Sequence, residues 1–223
     1  MQVVRGKRLV EFEAAALEAL VAQHDRVLID VGTGDARTAY RIAKSAPERL
    51  VIGVDPAWRR MEKVSNRAMS KPAKGGLGNL LLINSAVENT PPPLHGLADE
   101  VLVQMPWGRL LHGVVTGETE VCAGLRTIAA AGASLDVTVG TSIWRPPVPR
   151  DIQGLPELTR EYVDERLSQR FAEHGWRVED AGVVDDVVRS SWSSRLGSSK
   201  DERVFGIRAV AVSPVGGAAS GDL

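Results

Sequence analysis

Apolar positions in this chain fall into short dense runs, separated by longer stretches where they recur every three or four residues. "RVLIDV" (26–31), "LVIGVD" (50–55), "LLLIN" (80–84), "EVLVQM" (100–105) and "SLDVTV" (134–139) are rich in Val, Ile and Leu. Runs of that length, bounded by Gly, Pro, Asn or Asp, read as buried strands. "EAAALEALVAQH" (13–24), "ARTAYRIAKSA" (36–46), "PAWRRMEKVSNRAMSKPA" (56–73) and "TEVCAGLRTIAAAGA" (119–133) have the helical period. Pro56 stands at the start of its helix, where the missing N–H costs nothing. "REYVDERLSQRFAEHG" (160–175) predicts an amphipathic helix closed by Gly175. "WRVEDAGVV" (176–184) and "RVFGIRAVAV" (203–212) are the last two strands, and "QVVRGKRLVEF" (2–12) is a β-hairpin turning at a Gly.

Strands alternating with helices predict βαβ units and a mostly parallel sheet. The final two strands lack an intervening helix, so the last should run antiparallel to its neighbour. The fold class is therefore α/β. Seven strands with a closing hairpin match the Rossmann-like class I fold of S-adenosylmethionine-dependent methyltransferases, here with an N-terminal β-hairpin over 1–12. That match is an analogy of fold, which carries function weakly.

Composition narrows this further. The chain has 223 residues, 43% of them hydrophobic, which suits one α/β domain over 1–212. The tail "SPVGGAASGDL" (213–223) is small and polar, and reads as disordered. With net charge −1, no global field attracts nucleic acid, so any such attraction must come from a local patch. A single cysteine permits no internal disulfide and fits a reducing cytoplasm. No apolar run is long enough to span a membrane.

The chemistry gathers at predicted strand ends. "DVGTGD" closes the first buried strand as Asp30, Val31, Gly32, Thr33, Gly34 and Asp35. The glycines permit a tight turn and close backbone approach to a ligand. A dinucleotide fingerprint needs a third Gly where Arg37 stands. Asp30 and Asp35 would repel a pyrophosphate but attract an ammonium group, so the loop suits S-adenosylmethionine better than NAD. Asp55 ends the next strand, where a carboxylate can take two ribose hydroxyls. "NSAVEN" (84–89) brings Ala86 and Glu88 toward an adenine edge. Taken alone, the glycine loop has a lesser alternative as an ordinary turn with acidic helix caps.

"MPWG" puts Met105, Pro106 and Trp107 at the end of the fourth strand. Trp numbers 5 here, against 3 Phe and 2 Tyr, so its placement is informative. Trp107 either packs as a lid or stacks on something flat. Trp192 lies in the polar loop "RSSWSSRLGSSKDE" (189–202), with little apolar company. If that loop shares the edge of the sheet, the two indoles could sandwich a base. Flipping a base costs a few kcal/mol, and each stack returns roughly 1–3 kcal/mol. Trp176 and Trp58 read as packing residues, and Trp144 has no assigned place.

Basic residues form three groups: Arg59, Arg60, Lys63, Arg67, Lys71 and Lys74 on and after one helix, Arg145 and Arg150 in the Pro-rich loop, and Arg189, Arg195, Lys200 and Arg203 around Trp192. Each alone is as readily a solvated face. Convergence on one edge would make an RNA footprint.

"VRGK", "DVGTGD", "MEKVSNRAMSKPAKGGLGNLL", "MPWG" and the Trp-Ser stretch followed by "RLGSSKD" resemble one family across nearly the whole chain. It is the 16S ribosomal RNA adenine-N1 methyltransferases that confer aminoglycoside resistance. The resemblance implies methylation of adenine 1408 in helix 44, within the assembled 30S subunit. It implies that Trp107 and Trp192 clamp the flipped adenine, and that Asp30, Gly32, Asp55 and Glu88 hold S-adenosyl-L-methionine. It also implies that Arg67, Lys71, Lys74 and Arg195 dock on ribosomal RNA. Ala36 departs from the family pattern, which has Gly there. The remaining expectations are a cytoplasmic protein, a monomer and no metal.

Adenine N1 has a free lone pair at neutral pH, so direct displacement needs no general base. His24, His95, His112 and His174 are scattered. Three rivals stay open at this level: a transfer RNA guanine-N7 methyltransferase, a small-molecule methyltransferase with Trp107 as a lid, and a non-catalytic ribosome-binding protein.

Overall fold

The computed structural model describes residues 1–184 and 203–212. Its strands are β1 (Gln2–Arg5), β2 (Arg8–Glu11), β3 (Arg26–Val31), β4 (Arg49–Val54), β5 (Leu80–Ile83), β6 (Ala98–Gln104), β7 (Ala129–Gly140), β8 (Trp176–Val183) and β9 (Val204–Ala211). They form one sheet in the order β2-β1-β5-β4-β3-β6-β7-β9-β8. Strands β5, β4, β3, β6 and β7 are parallel neighbours, and β9 pairs antiparallel with both β7 and β8. The seven predicted strands are thus present with the closing antiparallel strand. The N-terminal hairpin extends them to nine by adding at the outer edge, where Val3 pairs with Ile83.

Strict alternation sorts the sheet residues into two faces. Ile29, Ile52, Ile83 and Val101 point to the larger core, which is closed by α1 (Ala14–Val21), α4 (Gly108–Thr116) and α5 (Thr119–Ile128). The same core takes up the last helical stretch: α6 (Arg160–Tyr162), a π-helical turn (Val163–Leu167) and α7 (Ser168–Glu173). Leu28, Val51, Leu82 and Leu102 point the other way, toward α2 (Arg37–Ser45) and α3 (Glu62–Ala68). Trp176 is fully buried and donates its indole N–H to the Cys122 carbonyl at 3.2 Å, as a core Trp should.

Three expectations need correction. The helix read over 119–133 ends at Ile128, and "AAAGA" opens β7 instead. Alanine's helix preference yields there to pairing with β6 at Ala98–Ala129. The basic helix read over 56–73 is shorter: a 3₁₀ turn (Trp58–Met61) leads into α3, which ends before Pro72. Pro72 offers no N–H and clashes with a preceding helical turn. Helix α4, directly after Trp107, was not foreseen.

The hairpin is held to α3 by one buried hydroxyl. Ser65 Oγ accepts from the Gly6 N–H at 2.8 Å and donates to the Val4 carbonyl at 2.8 Å. The "VRGK" turn and "MEKVSNR" are therefore one structural unit. The double glycine of "KPAKGG" has an equally local cause. Gly75 has φ +91°, and a Cβ on Gly76 would lie 1.8 Å from the Ser70 carbonyl oxygen. Only Gly-Gly lets the chain turn back at that point.

Candidate cofactor cleft and base-binding edge

Strand β3 ends in a turn that brings three residues into the left-handed region: Gly32 (φ +70°), Gly34 (φ +59°) and Ala36 (φ +60°). The Gly32 N–H donates to the Val54 carbonyl at 2.8 Å, tying the turn to the end of β4. Asp55 locks the same two strand ends together. Its Oδ2 accepts from the Gly34 N–H at 2.9 Å and its Oδ1 from the Ala57 N–H at 2.7 Å. A carboxylate has about four acceptor positions, so Asp55 keeps capacity for two hydroxyl donors on the cleft side.

These turns wall a cleft of about 400 Å³. Gly32, Gly34, Asp55, Ala86, Glu88, Met105, Pro106 and Trp107 all line it. That is eight of the residues singled out from sequence, converging from four strand ends. Asp30 and Asp35 do not line it. Asp30 is buried beneath the turn, where it accepts from the Thr33 hydroxyl at 2.6 Å. Burial pushes its carboxyl up to about 7; the Thr33 hydrogen bond opposes that shift and the Asp55 carboxylate adds to it. Asp35 is exposed and pairs with the Arg37 guanidinium at 3.0 Å. Two charged residues not picked out for this cleft also line it, Arg60 and Arg109. Arg109 Nε lies 2.9 Å from Glu88 Oε1, and its guanidinium also meets Glu118 at 3.1 Å and Glu120. The signal for Arg109 was the acidic "GETE" that follows it, legible only once α4 is known to turn back against α5.

Met105 has φ +46°, an unusual conformation for a residue with a side chain, and is fixed by its N–H donating to the Thr138 carbonyl at 2.8 Å. The bend swings Pro106 inward and Trp107 outward. Trp107 begins α4 as its N-cap and is 58% exposed. An indole so open contributes little to a core. Trp107 also borders a second hollow of about 420 Å³, with Met105, Pro106, Val139, Gly140, Ser142, Ile143 and two loop prolines. Cofactor cleft and second hollow thus share the wall Met105-Pro106-Trp107. Trp144 packs against the larger core, with its indole nitrogen buried and unpartnered.

Arg59, Arg60, Lys63, Arg67, Lys71, Lys74 and Arg145 are all exposed. Arg59 stacks over Trp58 at 5.1 Å and Arg67 over Tyr40 at 4.7 Å. Trp192, Arg189, Arg195 and Lys200, and the tail 213–223, lie outside the described residues. No histidine lines the cleft or the second hollow. Among the described residues no group of His, Cys, Asp or Glu side chains is arranged to hold a metal. No helix there is long and apolar enough to cross a membrane.

A parallel sheet in this order, with a glycine turn on its first central strand and a carboxylate at the next, defines a class I methyltransferase. Comparison with known proteins narrows the class. The family model for 16S rRNA (adenine(1408)-N(1))-methyltransferase matches residues 2–211. The chain belongs to that family. A curated relative of the same description from Streptoalloteichus tenebrarius is 42% identical over 205 residues, covering 90% of this chain and 94% of the relative. One from Escherichia coli is 28% identical over 210 residues, covering 92% and 96%. A crystal structure of a Catenulisporales acidiphilia 16S rRNA (adenine(1408)-N(1))-methyltransferase mutant, with cosubstrate SAM, superposes with a TM-score of 0.88. It is 51% identical, covering 97% of this chain and 99% of that one. The 16S rRNA methyltransferase KamB superposes at 0.83 with 41% identity, covering 96% and 100%.

Proposed function

We propose that this protein transfers a methyl group from S-adenosyl-L-methionine to N1 of adenine 1408 in 16S rRNA, and so confers aminoglycoside resistance. Its partner is helix 44 of the assembled 30S subunit, and it acts as a monomer. The observation that carries this reading is Trp107, open to solvent on the wall between the cofactor cleft and the second hollow.

The residues fit the cofactor. The cleft volume lies in the usual range for small ligands, and its mix of apolar wall and few polar groups is typical of such sites. Backbone at Gly32 and Gly34 leaves room for close approach, Asp55 offers acceptors for a ribose diol, and Ala86 to Glu88 face the base. Bound there, S-adenosylmethionine supplies an electrophilic methyl that the adenine N1 lone pair takes by direct displacement.

The chain's own task is positioning. Trp107 offers a flat face at the cofactor cleft, on which an extruded base can stack. Pro106 and the strained Met105 fix the distance between that face and the cleft. Holding two reactants in a near-attack geometry can supply roughly 7–11 kcal/mol, more than the gain typical of general acid–base help. No residue need remove a proton, because N1 carries none at neutral pH. The product adenine is cationic and has lost an N1 acceptor, and both changes weaken aminoglycoside binding.

Methyl transfer from labelled cofactor to purified 30S subunits, free 16S rRNA and bulk tRNA tests this. Label on 30S alone supports the proposal. Label on tRNA instead, or on none of the three, overturns it.

A further inference from the structure

Of the basic residues already assigned to RNA docking, Arg60 lines the cofactor cleft, while Lys63 and Arg67 line a separate groove together with cations of α2 that have no assigned role. This second basic feature lies on the face covered by α2 and α3. There a groove of about 620 Å³ runs between the two helices. Arg37, Arg41 and Lys44 line it from α2, Lys63 and Arg67 from α3, with Tyr40 between. The lining holds five cations and no carboxylate. The three α2 residues stand at i, i+4 and i+7, one face of a helix. They span about 10 Å along it.

The groove is a built surface. Tyr40 is buried, and its hydroxyl donates to the Gly75 carbonyl at 2.7 Å. The Arg67 guanidinium sits over the Tyr40 ring, 4.7 Å from the centroid. These contacts tie α2 to the "KPAKGG" turn and hold Arg67 in the groove lining. Arg37 is partly neutralised by Asp35. Arg41 donates to the Thr38 hydroxyl at 3.1 Å, and among the described residues it has no ion pair. The groove is also continuous with the active edge: Arg60 lines the cofactor cleft, and Lys63 and Arg67 follow on the next two turns of the same helical stretch.

We infer that the α2–α3 groove takes the phosphodiester backbone of a second stretch of the ribosomal RNA, beyond the strand that carries the target base. The inference rests on the proposed function, which supplies an RNA substrate. A row of cations without acids, beside a stacked guanidinium, suits a line of phosphates and carries no base readout. Such a contact adds affinity and orientation without changing which base is methylated. It also explains why a chain of net charge −1 places five cations along one groove.

The test is binding of the full-length protein to 30S subunits across a series of KCl concentrations, with methyl transfer by the parent measured in the same preparations. The variant is Arg41→Gln/Lys44→Gln. Arg166→Gln/Arg177→Gln removes the same charge elsewhere: Arg166 lies on the opposite face and Arg177 on the far edge strand. Each lost phosphate contact lowers the salt slope by about one. The groove variant should therefore bind severalfold more weakly at moderate salt, with a slope reduced by about two. Its affinity for S-adenosylmethionine should be unchanged, showing an intact fold, and the control pair should match the parent. A groove variant with the parent's affinity and slope, or a loss shared equally by the control pair, overturns the inference. A parent that binds 30S without methylating it overturns the proposed function instead.

Discussion

Arg109 Nε and Glu88 Oε1 stand 2.9 Å apart, bridging the first turn of α4 to the segment after β5. Glu88 is the better shielded partner, its side chain 14% exposed against 56% for Arg109. Three carboxylates surround this one guanidinium, and together they hold its proton more firmly than usual, Glu120 contributing most. The pair sets where the Glu88 carboxylate stands in the cofactor cleft.

Arg109→Gln should therefore weaken cofactor binding. An exposed ion pair contributes little, so the expected loss is about two- to fivefold. Isothermal titration with S-adenosylmethionine measures it. Unchanged affinity would show that Glu88 needs no fixing.

Trp107→Ala should separate binding from catalysis. The indole is mostly exposed, so its removal should leave the melting temperature nearly unchanged. Loss of one base stack costs roughly 1–3 kcal/mol, so methylation of 30S should fall by about five- to 150-fold while cofactor affinity stays within about twofold. Trp107→Phe should recover much of the activity. Equal methylation by wild type and Trp107→Ala would remove Trp107 from the base site.

Asp30 gives a pH dependence with a definite sign. Its folded carboxyl, at about 7, lies above the unfolded value of 3.8. Between these the folded state holds a proton that the unfolded chain has lost. Stability from this group is present in full below about pH 4 and declines as pH rises to about 7. Asp30→Asn should therefore raise the melting temperature more at pH 8 than at pH 5, with about 4 kcal/mol as the ceiling. An equal effect at both pH values would contradict a raised carboxyl.

Ala36 carries a methyl in the left-handed region, which costs roughly 1–2 kcal/mol, yet that methyl is fully buried. Burial of one methyl is worth about 0.8 kcal/mol. The two nearly cancel, so Ala36→Gly should change stability by no more than about 1 kcal/mol, on the stabilising side. Ala36→Val, branched in the same conformation, should destabilise clearly. Chemical denaturation of the three proteins gives the order.

Much of this site was legible in the sequence because it is local. Gly32, Gly34, Asp55, Ala86 to Glu88 and Met105 to Trp107 each follow an apolar run, and strand ends in a parallel sheet share an edge. Asp30 and Asp35, read from the same run, do not reach the cleft, Asp30 being buried on Thr33 and Asp35 turned out to Arg37. What the sequence hid is long-range. "AAAGA" carries helix formers, and its strand state follows from the pairing of Ala129 with Ala98 on β6 and the pairing of β7 with β6 and β9 from Ser134 onward. Docking of the hairpin depends on Val3 meeting Ile83 and on Ser65, sixty residues on, satisfying the turn. Arg109 draws its meaning from Glu88 and Glu120, which the chain brings together only by folding α4 against α5. The same holds for the groove, whose cations come from two helices with a strand between them.

Primer extension across the decoding-site helix of 30S subunits, after incubation with the enzyme and S-adenosylmethionine, bears most directly on the proposed activity. A methyl on adenine N1 blocks Watson–Crick pairing, so reverse transcriptase should stop next to adenine 1408. The stop should vanish without the cofactor and be strongly reduced with Trp107→Ala. Read-through at that adenine in subunits that have taken up label, or a stop at another base, would contradict the assignment.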